Sequence, residues 1–196
     1  MIITFIVPPS LDGELPAERT AGCTRLVYPM PNIYELIVAA VLEKEHDVRY
    51  RDFVLEKESE KHLIRFLAGD KSDCYMMWCV NLSLETDLKT IGHIRACHPE
   101  ARIVAMGPGV TYYTEKLLTD ERVIVVRGEP ELTVHELAAR ISTGEDIASI
   151  KGISFLKDGE VHHNPARELI RDLDSLPFPA RHFIEKYPFT NPKLKV

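Results

Sequence analysis

The chain has 196 residues, with 24 basic and 30 acidic side chains and a formal charge of −6 when histidine is neutral. At 45% hydrophobic and 28% charged residues the composition is that of a folded globular domain, which excludes long disorder, collagen-like repeats and coiled coil. The acidic balance argues against nucleic acid as a partner, and no apolar run approaches the roughly 20 residues that cross a bilayer.

Ile2 to Val7 is a short apolar run that ends at Pro8-Pro9. It lacks a basic leader and reads as a buried first strand rather than a signal peptide, so a cytoplasmic protein is expected. Asn32 to Lys44 places Ile33, Leu36, Ile37, Ala40 and Val41 at helical spacing. Asp47 to Phe53 alternates as a second strand, and Glu56 to Ala68 is predicted as a helix with Leu63, Ile64, Phe66 and Leu67 inward. Cys74 to Val80 is apolar on both faces, as a central strand covered by helices on each side would be. A helix from about Ser83 to His98 turns Leu84, Leu88, Ile91 and Ile94 inward. Arg102 to Met106 and Val123 to Val126 are predicted strands flanking a helix over Thr111 to Leu118. Glu131 to Ile141 is a last helix, stopped by Gly144.

Strands that alternate with helices imply an α/β fold of the Rossmann-like or flavodoxin-like class, an open, mostly parallel five-stranded sheet with helices on both faces. A second part differs. Gly152 to Leu156, an Asp158-Gly159 turn and Glu160 to His163 make a hairpin, and Asp172 to Pro179 with its polar end reads as an exit segment. The expected division is 1–148 for the cofactor-type domain and 149–196 for hairpin and connector.

In open α/β sheets ligands bind beyond the carboxyl ends of the strands. The candidate site residues are therefore Pro8, Pro9 and Ser10, then Asn81 and Ser83, then Gly107, Pro108, Gly109, Val110 and Thr111, and finally Arg127, Gly128 and Glu129. A dinucleotide site would need G-x-G-x-x-G after the first strand, where Pro8-Pro9 stands instead. A receiver domain would need acidic residues after that strand and an aspartate after the third, where Cys79-Val80-Asn81 lies. His162 and His163 are neighbours on a strand and point to opposite faces, so they cannot share a metal, while His93 and His98 are expected to face solvent. No G-x-S-x-G elbow occurs, so no catalytic residues and no metal ligands are assigned. Cys23, Cys74, Cys79 and Cys97 contain no C-x2-C pair and are expected to be free, buried thiols. Arg127 and Glu129 flank a glycine at the end of a buried strand. They either face a ligand or serve the fold, Glu129 by opening the helix at Pro130.

Val125 to Thr133 (VVRGEPELT), Ile150 to Ile153 (IKGI) and Asp172 to Arg181 (DLDSLPFPAR) together resemble the amino-terminal half of cobalamin-dependent radical S-adenosylmethionine enzymes. The magnesium-protoporphyrin monomethyl ester oxidative cyclase group is the most similar subfamily, and Pro8-Pro9, Ala39 to Val48 and Met106-Gly107-Pro108 add weaker matches. The resemblance implies a cobalamin-binding module, with S-adenosylmethionine and a [4Fe-4S] cluster confined to a following barrel whose C-x3-C-x2-C motif does not occur here. It also implies methyl transfer or oxidative cyclisation in the parent enzyme and the barrel as a partner, while the lack of a long apolar run leaves no membrane partner expected.

Two departures stand out. The D-x-H-x-x-G motif that gives cobalt a lower histidine in other cobalamin proteins is replaced by Val7-Pro8-Pro9-Ser10. Trp78 and Met106 stand where the resembling family carries a small serine and a glycine, which narrows the groove for the cofactor's nucleotide tail. Two other functions stay open: a scaffold that keeps the fold without the cofactor, and a small-nucleotide binder through Gly107-Pro108-Gly109.

Overall fold

The computed structural model describes residues 1–11, 19 and 30–187. Cys23 and the end of the predicted connector beyond Tyr187 lie outside these. Five parallel strands, β1 (Ile2–Val7), β2 (Asp47–Asp52), β3 (Cys74–Trp78), β4 (Arg102–Met106) and β5 (Val123–Val126), are followed by the hairpin strands β6 (Ile153–Lys157) and β7 (Glu160–His163). The helices are α1 (Ile33–Leu42), α2 (Glu60–Gly69), α3 (Leu84–Cys97), α4 (Val110–Leu117) and α5 (Pro130–Thr143). The sheet runs in the order β2-β1-β3-β4-β5-β6-β7.

This is the predicted three-layer α/β architecture, with α1 and α5 packed on one face and α2, α3 and α4 on the other. It has seven strands in one sheet rather than five and a separate hairpin. β6 pairs antiparallel with β5, Val126 opposite Ile153, and so covers an edge that would otherwise expose unpaired backbone. Ile153 and Phe155 alternate onto the core face shared with α5, which fixes the register. The turn holds Asp158 and Gly159 at φ of 52° and 79°, the paired positive angles of an Asp-Gly hairpin.

Local chemistry sets the helix ends. Asn32 accepts from the Tyr34 amide at 3.1 Å and caps α1, while Pro130 opens α5 and Gly144, at φ 76°, closes it. α2 starts at Glu60, not Glu56. The Asp52 carboxylate takes the amides of Val54 and Leu55 at 3.0 and 2.9 Å and holds the chain in a turn, and the helix begins only after Ser59, whose amide donates to His62 Nδ1. Ile33 and Ile64, predicted inward, are 46% and 41% exposed because each lies at the margin of its helix's apolar stripe.

Further corrections concern the thiols, the histidines and the tail. Cys74 and Cys79 are buried and free as expected, but Cys97, in the last turn of α3, is exposed. His93 and His98 are half-buried and engaged, His93 with Glu60 at 2.8 Å and His98 Nε2 with the Leu67 carbonyl at 2.7 Å. The segment after Pro179 is not merely an exit. The Ala180 amide donates to the Leu36 carbonyl at 2.9 Å, and Ala180, Ile184 and Tyr187 are buried against α1 and β2. Each side chain of the size of Ile184 or Tyr187 contributes roughly 1.5–3 kcal/mol when removed from water. Among the described residues no helix is long and apolar enough to cross a membrane, and no group of His, Cys, Asp and Glu is placed to hold a metal.

Candidate functional site

The carboxyl ends of the five parallel strands converge on one edge of the molecule. There a cleft of about 750 Å³ opens between the β4–α4 turn, the start of α5 and the segment 170–179. Its walls are Tyr34 and Ile37 from α1, Trp78 at the end of β3, and an apolar strap that includes Ile170, Leu173, Leu176 and Phe178. A second depression of about 670 Å³ lies beyond Thr111 and Gly128, which line both, and is bordered by Arg127, Lys116 and His163.

The structure brings Gly107, Pro108, Thr111, Gly128 and Glu129 together around the larger cleft. The other predicted site residues are placed elsewhere. Pro8 and Pro9 are buried beside β1 and Ser10 is half-buried. Asn81 is exposed on a 3-10 turn, while Ser83 is buried, with its hydroxyl donating to Asp87 at 2.5 Å and accepting from the Val80 amide at 2.9 Å. Val110, the first residue of α4, is 1% exposed and turns into the core under that helix.

The glycines after β4 are required by packing. Gly107 sits at φ 99°, and a Cβ there would come within 2.9 Å of the Trp78 indole and the Cys79 carbonyl. At Gly109 a Cβ would strike the Val80 backbone at 2.7 Å. Both directions run into the protein, so these glycines let the turn close on β3, where the Gly109 amide donates to the Cys79 carbonyl at 2.9 Å. Gly128, at φ 77°, has open space where its Cβ would be.

Arg127 and Glu129 resolve into separate duties. Arg127 Nη2 donates to the carbonyls of Ile153, at 3.1 Å, and Asn164, which ties the hairpin to β5. Glu129 occupies the N-cap position of α5, and its carboxylate accepts from the Ile170 amide at 2.6 Å, which tethers the strap across the cleft.

A buried polar cluster near this edge was not anticipated. Arg19, 8% exposed, donates to the Trp78 carbonyl and pairs with Asp87 at 2.9 Å. Glu35, fully buried on α1, accepts from the Tyr50 hydroxyl at 3.3 Å and has no partner for Oε1. Burial pushes the Glu35 carboxyl up to about 8 against the opposing pull of Arg19, and pushes Asp52 up to about 6. The sequence carried one signal for this, a glutamate among the apolar residues of Ile33 to Leu42.

Two further buried polar atoms have no partner: the Trp78 indole Nε1, a donor that lies against the Gly107 turn, and the Glu131 carboxylate Oε2, an acceptor. Their residues are 7% and 8% exposed, and burial raises the Glu131 carboxyl. Leaving such groups unpaired costs on the order of 1–3 kcal/mol each.

No family model matches the chain. It is 29% identical over 183 residues to an uncharacterized methyltransferase of Pyrococcus horikoshii, a match that covers 92% of this chain and 38% of that protein. The anaerobic magnesium-protoporphyrin IX monomethyl ester cyclase of Synechocystis is 36% identical over 78 residues, 39% of this chain and 16% of that protein. Among solved structures, the cobalamin-dependent S-adenosylmethionine radical enzyme OxsB, with aqua-cobalamin and S-adenosylmethionine bound, superimposes with a TM-score of 0.73 at 15% identity, over 93% of this chain and 24% of that one. The radical S-adenosylmethionine methyltransferase TsrM from Kitasatospora setae, with cobalamin and a [4Fe-4S] cluster bound, gives 0.63 at 18% identity, over 90% of this chain and 30% of that one. The chain spans about two fifths of the length of the Pyrococcus relative, and its fold is one found in cobalamin-dependent radical enzymes.

Proposed function

We propose that this chain is a cobalamin-binding module of a radical S-adenosylmethionine enzyme and does no chemistry alone. The observation that carries the reading is the cleft at the carboxyl edge of the sheet, lined by Tyr34, Trp78 and Pro108 and by the apolar strap of Ile170, Leu173, Leu176 and Phe178. A corrin is a broad, flat ring with an apolar, methyl-studded body and amides at its rim, so it fits a cleft with apolar walls and an open polar edge. Gly107, Pro108, Thr111 and Gly128 would form the floor, with Tyr34 and Trp78 as one wall and the strap as the other. The tethers Arg127 and Glu129 would keep hairpin and strap in place. Cobalt would take no histidine from the loop after β1, which is Val7-Pro8-Pro9-Ser10.

In the whole enzyme cobalamin would supply methyl transfer or redox chemistry. The S-adenosylmethionine and its [4Fe-4S] cluster would belong to a barrel partner, since the chain contains no C-x3-C-x2-C motif. The likeness to OxsB and TsrM supports this arrangement, and the Pyrococcus relative favours methyl transfer over oxidative cyclisation, because its match covers 92% of this chain against 39% for the cyclase.

One observation favours the scaffold reading instead: Tyr34, Trp78 and Arg19 fill space near the ends of β1 and β3. Purified protein mixed with hydroxocobalamin and desalted separates the two. Stoichiometric corrinoid absorbance retained with the protein supports the module, and none retained at micromolar protein refutes it. The nucleotide reading has little left, because Gly107 and Gly109 direct their missing Cβ positions into Trp78 and Val80 rather than into the cleft.

A further inference from the structure

The strand order reverses between β1 and β3, since the chain passes from β1 outward to β2 and then returns to place β3 on the other side. In a doubly wound sheet the crevice at this switch point is where a ligand can reach down between the strand ends. Here the protein's own side chains occupy it. The Tyr34 ring stacks on the Trp78 indole with centroids 5.6 Å apart and planes 10° from parallel. Arg19 lies against the Trp78 carbonyl and is locked there by Asp87. Beneath them Glu35 and Tyr50 complete a buried cluster, with Glu35 fully buried and Tyr50 5% exposed.

The open cleft is displaced from the switch point toward β4 and β5, and the Tyr34–Trp78 stack is the wall on that side. The Gly107 turn presses on the same indole, so Trp78 is held from above and from the side. Among the described residues, the stack and Arg19 stand between the cleft and the crevice at the ends of β1 and β3, where a long appendage on a flat ring would have to pass. Emptying the crevice would mean separating Arg19 from Asp87, a buried pair 2.9 Å apart, and leaving two charges in the protein without partners.

We infer that the site takes a corrinoid by its ring alone and leaves the nucleotide tail outside the fold, with Trp78 as the residue that sets this preference. The inference rests on the corrinoid reading above and adds to it the form of corrinoid that is accepted. A tail that stays in solvent contributes little to affinity, so a corrinoid lacking it binds as well as one that carries it.

The test is titration of the 196-residue chain with hydroxocobalamin and, separately, with aquacobinamide, which has the ring and cobalt without the nucleotide. Binding is read from the visible spectrum and from quenching of Trp78, the single tryptophan. The expected result is dissociation constants within about threefold of each other, less than 1 kcal/mol apart. Cobalamin binding more tightly than cobinamide by a larger factor overturns the inference while leaving the module intact, and failure of both corrinoids to bind overturns the module itself. Trp78→Ser, read from the visible spectrum, opens the crevice and shifts the preference toward cobalamin. Tyr34→Ala, at a residue 48% exposed, removes half of the same wall from the surface and shifts it in the same direction. An unchanged ratio in whichever of these folds refutes the role of the stack.

Discussion

Glu35 offers the sharpest test of the buried polar cluster. The carboxyl is fully buried, faces Arg19, Asp52 and the Tyr50 hydroxyl, and is pushed by desolvation from an ordinary 4.5 up to about 8. A group whose folded value lies above its unfolded value binds its proton more tightly in the native state. Its contribution to stability is fully present below pH 4.5 and is lost progressively as the pH rises to about 8. At about 1.4 kcal/mol per pH interval, the loss reaches about 3 kcal/mol at pH 7 and about 5 kcal/mol above pH 8. Glu35→Gln keeps the shape and the acceptor for Tyr50 but cannot ionise. The substituted chain is expected to match the parent near pH 4, to be about 3 kcal/mol more stable at pH 7, and to gain further by pH 8.5. Urea unfolding followed by Trp78 fluorescence at a series of pH values measures this. Asp52, raised to about 6 by burial, adds a slope of the same sign at lower pH that persists in both proteins. Parallel stability curves from pH 5 to 8 would show that Glu35 is ionised in the folded chain and would refute the reasoning.

Asp87→Asn leaves the Arg19 guanidinium buried beside Trp78 without its countercharge, and is expected to cost roughly 3–5 kcal/mol in urea unfolding. Wild-type stability would show that Arg19 is not held by the pair. The two glycines with positive φ that border the cleft should separate cleanly. Gly107→Ala meets Trp78 and Cys79 at 2.9 Å and is expected to lose roughly 2 kcal/mol or more together with corrinoid binding, whereas Gly128→Ala carries only the backbone cost of about 1 kcal/mol. Equal losses at both positions would contradict the packing role assigned to Gly107.

Much of the fold was legible in the sequence because its central strands are buried on both faces and its helices are amphipathic. Cys74 to Trp78 and Val123 to Val126 are uninterrupted apolar runs, and Gly144 and Asp158-Gly159 mark a helix stop and a turn through backbone angles that few other residues adopt. The line of residues after each strand also marks the carboxyl edge of the sheet, along which the cleft opens. Which of those residues face a cleft was not decided there. The same sequence pattern, a glycine after a strand, is a packing contact at Gly109 and an open position at Gly128, and only the neighbour across the turn distinguishes them. Likewise Arg19, Glu35 and Asp87 are far apart in the chain and ordinary by type. Their burial together beside Trp78 arises from long-range packing of a loop, two helices and a strand end, a contact that no local period encodes. The sequence thus determined the layers and the order of strand and helix that builds them. Tertiary packing alone decided that, among the described residues, Tyr34, Trp78 and Arg19 stand at the switch point and that a cleft opens beside them toward β4 and β5.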